Sequence, residues 1–260
     1  MHSELFQFQL PEFLKALFQV NTITIYAYPI CILIGSLLAI YILRKKEKAS
    51  QHYFFSYQLL LIVLIAAFIG GKLFLFFETP LNYIKHPEHI TKIISGGYVF
   101  YGSFITCTIS LILYLKIHNI AILKSLDIIV LSTTILHAFG RIGCFMAGCC
   151  YGQAFEFGMM FPKSYPHKVH PTQLYEAAFL LLVFLLLNRR YKTKHFHGEV
   201  FSLYLFCYAV GRFIIEFFRG DHRGTIMDGS VSHSQFIAFI LCLLSSFLFL
   251  KLKRNSPSTD

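Results

Sequence analysis

The chain has 260 residues, 56% of them hydrophobic and only 14% charged, whereas water-soluble domains carry about a quarter charged residues. A membrane-spanning helix uses roughly 20 mostly apolar residues, so this length admits six or seven spans and excludes a separate soluble domain. Residues 1–260 are expected to form a single integral-membrane domain. The formal charge of +10 lies in short clusters between apolar runs; these read as membrane-surface anchors and exclude a nucleic-acid-binding stripe.

The first residues, Met1 to Glu12, are acidic rather than basic, and no small-residue cleavage site follows the first apolar run. That run is expected to be a retained span and not a cleavable signal peptide. It covers about Thr22 to Leu43 and ends at Arg44-Lys45-Lys46-Glu47-Lys48. A second span, about Phe54 to Phe77, holds Gly70-Gly71-Lys72, and the polar stretch after Pro80 forms a loop. The third covers about Tyr98 to Leu115 and the fourth, a brief one, about Leu126 to Phe139. Gly140 to Pro171, rich in Gly, Pro and Cys, is expected to be irregular. The fifth span runs from about Gln173 to Leu187, the sixth from Val200 to Phe218 and the seventh from Phe236 to Leu250. The fold class is therefore all-α, a polytopic membrane protein with seven transmembrane helices.

Lys and Arg cluster after the first, third, fifth and seventh spans, while Glu78, Glu88, Glu156, Asp221 and Asp228 dilute the alternate loops. The positive-inside bias then puts the N-terminus in the periplasm and the C-terminus in the cytoplasm. No internal repeat of the kind that marks many secondary transporters is visible.

Ionisable residues within a span cost about 2.5–3.5 kcal/mol each on insertion scales, so they face protein, water or a ligand. On the sixth span Tyr208, Arg212, Glu216 and Arg219 recur at helical spacing and share a face. On the fifth, His170, Gln173 and Glu176 repeat every three residues. Gly140-Arg141-Ile142-Gly143 sits near the outer end of the fourth. These groups are expected to converge on one cavity in the outer half of the membrane. An Arg212–Glu216 pair could simply tie helices together, but Arg141, Arg212, Arg219 and Lys72 leave a cationic surplus that suits a phosphate. A phospholipid head group is the phosphate source at that depth.

At these residues the chain resembles the prolipoprotein diacylglyceryl transferase family over nearly its whole length. The segments that carry the likeness are Gly70-Gly71-Lys72, the run from Gly96 to Gly102, Gly140 to Phe145, His170-Pro171-Thr172-Gln173-Leu174-Tyr175-Glu176, and Arg212 to Arg219. The resemblance implies transfer of the diacylglyceryl group of phosphatidylglycerol to the lipobox cysteine thiol of prolipoproteins, forming a thioether and releasing glycerol phosphate. It implies a multi-pass enzyme of the bacterial inner membrane with a periplasmic active face. Its partners would be phosphatidylglycerol, other membrane lipid and prolipoprotein signal peptides with a lipobox cysteine; no cofactor and no nucleic acid are implied. Arg141 and Arg212 would hold the phosphate or stabilise its departure, with Tyr101 as the third catalytic candidate. Tyr26, Lys72, Gly97, Gly102, Gly143, His170, Gln173, Glu176, Tyr208, Glu216 and Arg219 would line or orient the substrate site. The chain departs from the family in having Tyr101 where a His is usual, and Cys144, Ala147 and Cys149 where polar residues are usual; a phenol is a poorer base than an imidazole at neutral pH.

Four of the seven cysteines (Cys31, Cys107, Cys207 and Cys242) fall in spans as small core residues. Cys144, Cys149 and Cys150 face the oxidising compartment. A bridge from Cys144 to Cys149 or Cys150, or free packed thiols, is expected ahead of a zinc site completed by His137 or His167, and no metal centre is assigned. Two alternatives to the transferase stand beside it: a divergent paralogue that binds phospholipid but serves another acceptor or has lost activity, and a non-enzymatic transporter.

Overall fold

The computed structural model describes residues 4–9, 22–78, 80, 99–161, 165–220, 225–226 and 231–256. In chain order the elements are β1 (Glu4–Gln9), β2 (Thr22–Tyr26), α1 (Ala27–Ser50), α2 (Tyr57–Glu78), α3 (Phe100–Ile117), α4 (Ile122–Ala147), β3 (Ala154–Phe161), β4 (Tyr165–Val169), α5 (Thr172–Lys192), α6 (Glu199–Glu216), β5 (Thr225–Ile226), β6 (Val231–Ser232) and α7 (His233–Asn255). Among the described residues the architecture is helical, with three antiparallel two-stranded ribbons, β1–β2, β3–β4 and β5–β6. Five of the described helices, α1, α2, α4, α5 and α7, are long and apolar enough to cross a membrane. Although α6 has 18 residues, Glu199, Arg212 and Glu216 all fall within it, so its composition is that of a helix turned toward polar partners.

The structure departs from the sequence reading in several places. The first and seventh helices run past the expected span ends to Ser50 and Asn255. Residues 140–171, expected to be irregular, hold the end of α4 and the β3–β4 ribbon. The first helix begins at Ala27, because Thr22–Tyr26 pairs with Glu4–Gln9 as a strand. The fourth helix continues through Gly140, Arg141, Gly143 and Cys144 to Ala147, so the expected irregular stretch shortens at its start. Glycines that read as breakers in water are common in membrane helices, where packing against neighbours offsets their backbone entropy. At Gly143 the neighbour is visible: a Cβ there would stand 2.9 Å from the Tyr28 ring.

The chain divides into two compact units. The first comprises residues 1–46 and 126–260. Its core joins Val130 and Leu131 of α4 to Val183 and Leu187 of α5 and Val200 of α6. Leucines and phenylalanines such as Leu37, Leu182, Leu185, Leu243 and Phe247 stay exposed on its helices, the inversion expected where lipid is the solvent. The start of α6 is held by the fully buried Asp127, which accepts from the backbone N–H groups of Gly198 (3.0 Å) and Phe201 (2.9 Å) and from Lys194 Nζ (2.7 Å). Glu199 accepts from the Arg190 guanidinium and from the His195 amide. The start of α7 carries a capping box: Ser232 accepts from the Gln235 amide while Gln235 accepts from that of Ser232.

The second unit, residues 47–125, is built on the close packing of α2 and α3. Ser103 Oγ donates to the Ala67 carbonyl (2.8 Å) and Thr106 Oγ1 to that of Ala66 (2.7 Å). Small residues permit this approach: a Cβ on Gly70 would lie 2.0 Å from Thr106 Oγ1, and one on Gly102 would lie 2.3 Å from the Gly70 carbonyl oxygen. Gly102→Ala is expected to destabilise the protein by about 1–3 kcal/mol through overpacking. Gly140→Ala, whose Cβ would meet only Ile32 at 3.6 Å, is the matched control. Unfolding in mixed micelles measures both, and equal stability of the two variants would contradict the packing role. At the start of this unit, buried Glu47 accepts from the amides of Phe54 and Phe55, each at 2.7 Å, which closes the turn after α1.

Candidate active site

In the first unit, His137, Arg141 and Cys144 occupy successive turns of α4 and share one face. Opposite them on α5 stands Glu176, 2% exposed, with Arg141 Nη2 at 3.0 Å and His137 Nε2 at 3.5 Å from its Oε1. It meets them as an ion pair alone, since neither of its oxygens has a hydrogen-bond partner among the described residues. The His137 ring packs on that of Tyr208 from α6, with centroids 5.5 Å apart.

One helical turn further along α6, Arg212 Nη2 lies 2.6 Å from Glu216 Oε2 and donates to Ser234 Oγ at 3.2 Å. Ser232 Oγ donates to Glu216 Oε1 at 2.9 Å, so the turn before α7 fixes the carboxylate that fixes the arginine. The charges of Glu176, Arg141 and Arg212 all act on His137, and those of Glu176 and Arg219 act on Arg141. Guanidinium groups from α4, from α6 and from just beyond α6 thus gather around one imidazole and two carboxylates. Arg212 Nη1 and Gln173 Oε1 are buried with no hydrogen-bond partner among the described residues. Such orphans are costly unless a ligand or water completes them.

The loop after α4 closes one side. Gly152 donates to the His170 carbonyl (2.8 Å), Gln153 to that of Phe218 (2.9 Å) and His170 to that of Gln153 (3.0 Å), while Gly152 and Arg219 form a β-bridge. Gly152 sits where a Cβ would be 2.2 Å from the Phe218 carbonyl oxygen, which explains a glycine at this junction. Gln173 Nε2 donates to the Cys149 carbonyl and Thr172 Oγ1 to that of Cys150 (2.9 Å). The Cys150 thiol is held well below the ordinary thiol range, first by hydrogen bonds from Cys144 and Cys149 and then by Arg219, against burial, which pushes it up.

Arg141, Gln173, Glu176, Tyr208, Arg212, Glu216 and Arg219 are therefore placed in and around this cluster, whereas Gly143 faces Tyr28 and Cys31 of α1. His170 is engaged differently: it stacks on Phe155 (centroids 4.0 Å apart) and its Nδ1 lies 3.2 Å from the Tyr175 hydroxyl. Tyr26 ends strand β2 and is 49% exposed, whereas Tyr28, two residues on, packs on Gly143. Lys72, Tyr101 and Gly102 belong to the second unit, where Gly102 has the packing role described above. Gly97 lies outside the described residues. Sequence reading missed His137 as a partner of Glu176, and it missed Tyr28, Ser232 and Ser234. For His137 the signal was present, four residues before Arg141 on the same helical face; the two serines enter only through the packing of α7 against α6.

A family model described as prolipoprotein diacylglyceryl transferase matches residues 15–251. A phosphatidylglycerol–prolipoprotein diacylglyceryl transferase of Clostridium tetani is 40% identical over 90% of this chain and 95% of its own length. Enzymes of that name from Wolbachia pipientis of Culex pipiens (31% identical over 90% of this chain and 93% of theirs) and Clostridium perfringens (31% over 72% and 74%) are also similar. With its apolar helices the chain is a multi-pass membrane protein, and it belongs to the prolipoprotein diacylglyceryl transferase family.

Proposed function

We propose that this enzyme transfers the diacylglyceryl group of phosphatidylglycerol to the lipobox cysteine thiol of prolipoproteins. In that reaction the bond from the diacylglyceryl carbon to the phosphate oxygen breaks, the carbon–sulfur bond forms, the thiol gives up its proton, and glycerol phosphate leaves as an anion. A departing phosphate needs positive charge at its oxygens, and a planar guanidinium offers paired donors that match them. The observation that carries the reading is the buried Arg212 Nη1, a charged donor with no hydrogen-bond partner among the described residues, in a cluster that also holds Arg141 and Arg219. Glu216 and Glu176 hold Arg212 and Arg141 in place, and among the described residues three guanidinium groups stand there beside these two carboxylates.

The whole chain acts as one integral-membrane domain with seven spans in the bacterial inner membrane. The N-terminus and the reactive face are periplasmic, and the C-terminus is cytoplasmic. Basic residues in the last turns of α1, α5 and α7 support that orientation. Lys72, Tyr101, Gly97, Gly102, Tyr26 and His170 take part through the roles that the family resemblance gives them, with Tyr101 acting toward the incoming thiol.

The test is transfer in vitro from labelled phosphatidylglycerol to a lipobox peptide by the detergent-purified chain. Thioether-linked product is expected from the wild type, and Arg141→Ala should reduce it at least about 100-fold. Monodisperse wild-type protein that makes no product would overturn the reading, and full activity of Tyr101→Phe would remove the Tyr101 hydroxyl from the chemistry.

A further inference from the structure

The thiols of Cys144, Cys149 and Cys150 have no part in the transfer just described. Their three sulfur atoms lie within 4.8 Å of one another, and all are free. A tight turn at the end of α4 brings them together: Gly148 (φ 73°) and Cys150 (φ 62°) both adopt the left-handed conformation. The Gly148 amide donates to the Phe145 carbonyl (3.1 Å) and the Cys149 amide to that of Cys144 (3.2 Å). A side-chain-bearing residue such as Cys150 adopts that conformation only at a cost. The Gln173 and Thr172 side chains grip the Cys149 and Cys150 carbonyls from α5, so the turn is fixed on both sides.

We infer that Cys144, Cys149 and Cys150 form a three-thiolate site for one thiophilic d10 metal ion, with Zn2+ as its first candidate. Thiolates at the usual Zn–S distance of about 2.3 Å in tetrahedral array stand roughly 3.8 Å apart, within the spread of these sulfurs. Soft thiolate sets select such ions over harder divalent cations. Three thiolates around a divalent ion carry one net negative charge, and the guanidinium of Arg219 hydrogen-bonds Cys150 while that of Arg141 acts on Cys144. Cys149 is exposed, which leaves an entry path and a fourth coordination position for water. Among the described residues no histidine joins the group, so the zinc site completed by His137 or His167 gives way to a sulfur-only set. A disulfide would need an oxidant to take up two electrons; metal uptake needs only the release of thiol protons.

The test uses the reduced, metal-stripped full chain in detergent, with Zn2+ alone and then Co2+ as a spectroscopic probe. One Zn2+ per chain is expected by equilibrium dialysis, along with a thiolate-to-cobalt charge-transfer band and protection of three thiols from alkylation by intact mass. Cys149→Ser alone should weaken binding at least about tenfold, and the triple serine variant should abolish the band. Cys107→Ser and Cys242→Ser should leave it unchanged. Zn2+ uptake by the triple variant equal to that of wild type would overturn the inference. So would equal alkylation of all seven cysteines with and without Zn2+, in a chain shown monodisperse by size exclusion. Because these readouts are independent of lipid transfer, their failure is distinct from failure of the proposed reaction.

Discussion

Arg212→Ala is expected to lower diacylglyceryl transfer by about 10²–10³-fold, the usual loss when one preorganised donor is removed from developing negative charge. Two effects combine in that variant. Nη1, the donor with no hydrogen-bond partner among the described residues, disappears. Glu216, 9% exposed, also loses its ion pair at 2.6 Å and keeps, among the described residues, the Ser232 hydroxyl. Arg212→Lys separates the two: an ammonium restores a charge beside Glu216, but it cannot present the paired planar donors of a guanidinium. The lysine variant should therefore recover wild-type stability in mixed micelles and still transfer at least about tenfold more slowly than wild type. Wild-type rates from Arg212→Lys would reduce Arg212 to a structural counter-ion of Glu216.

The second large effect is on stability. Glu176→Gln keeps the shape of the side chain and removes the charge that faces Arg141 at 3.0 Å and His137 at 3.5 Å. Removing one partner of a buried pair costs about 3–5 kcal/mol because the other charge is left uncompensated. The lower end applies, since Arg141 retains 18% exposure. Detergent unfolding of Glu176→Gln, Arg141→Ala and the double variant forms a cycle in which the double variant should be more stable than the sum of the single losses predicts. Additive losses would mean that the two side chains do not interact, and the geometry of the site would then need another explanation. The same cycle read by transfer rate separates positioning from chemistry: Arg141→Ala should lose activity whether or not Glu176 is present.

Much of the site was legible because the signals are local. Tyr208, Arg212 and Glu216 share a helical face by spacing alone, and ionisable residues in an apolar run announce a polar destination. The helical extent of Arg141 and Gly143 was hidden, because glycine spacing reads as a break unless the neighbour that fills the gap, Tyr28, is known. The strand at Thr22–Tyr26 was hidden for a related reason: an apolar run looks the same in a ribbon and in a span until its partner, Glu4–Gln9, is found. Tyr28, which packs on Gly143, carried no signal of its own in the sequence.

Hydropathy and charge spacing by themselves determined that this is a helical membrane protein with cationic faces, since burial in lipid and the 3.6-residue period act on each segment separately. Which carboxylate holds which arginine, the Arg212 donor with no hydrogen-bond partner among the described residues and the meeting of three sulfurs at the end of α4 were decided only by the tertiary structure. Each of these depends on distances between elements far apart in the chain or on one turn's left-handed backbone, and no local pattern encodes such distances.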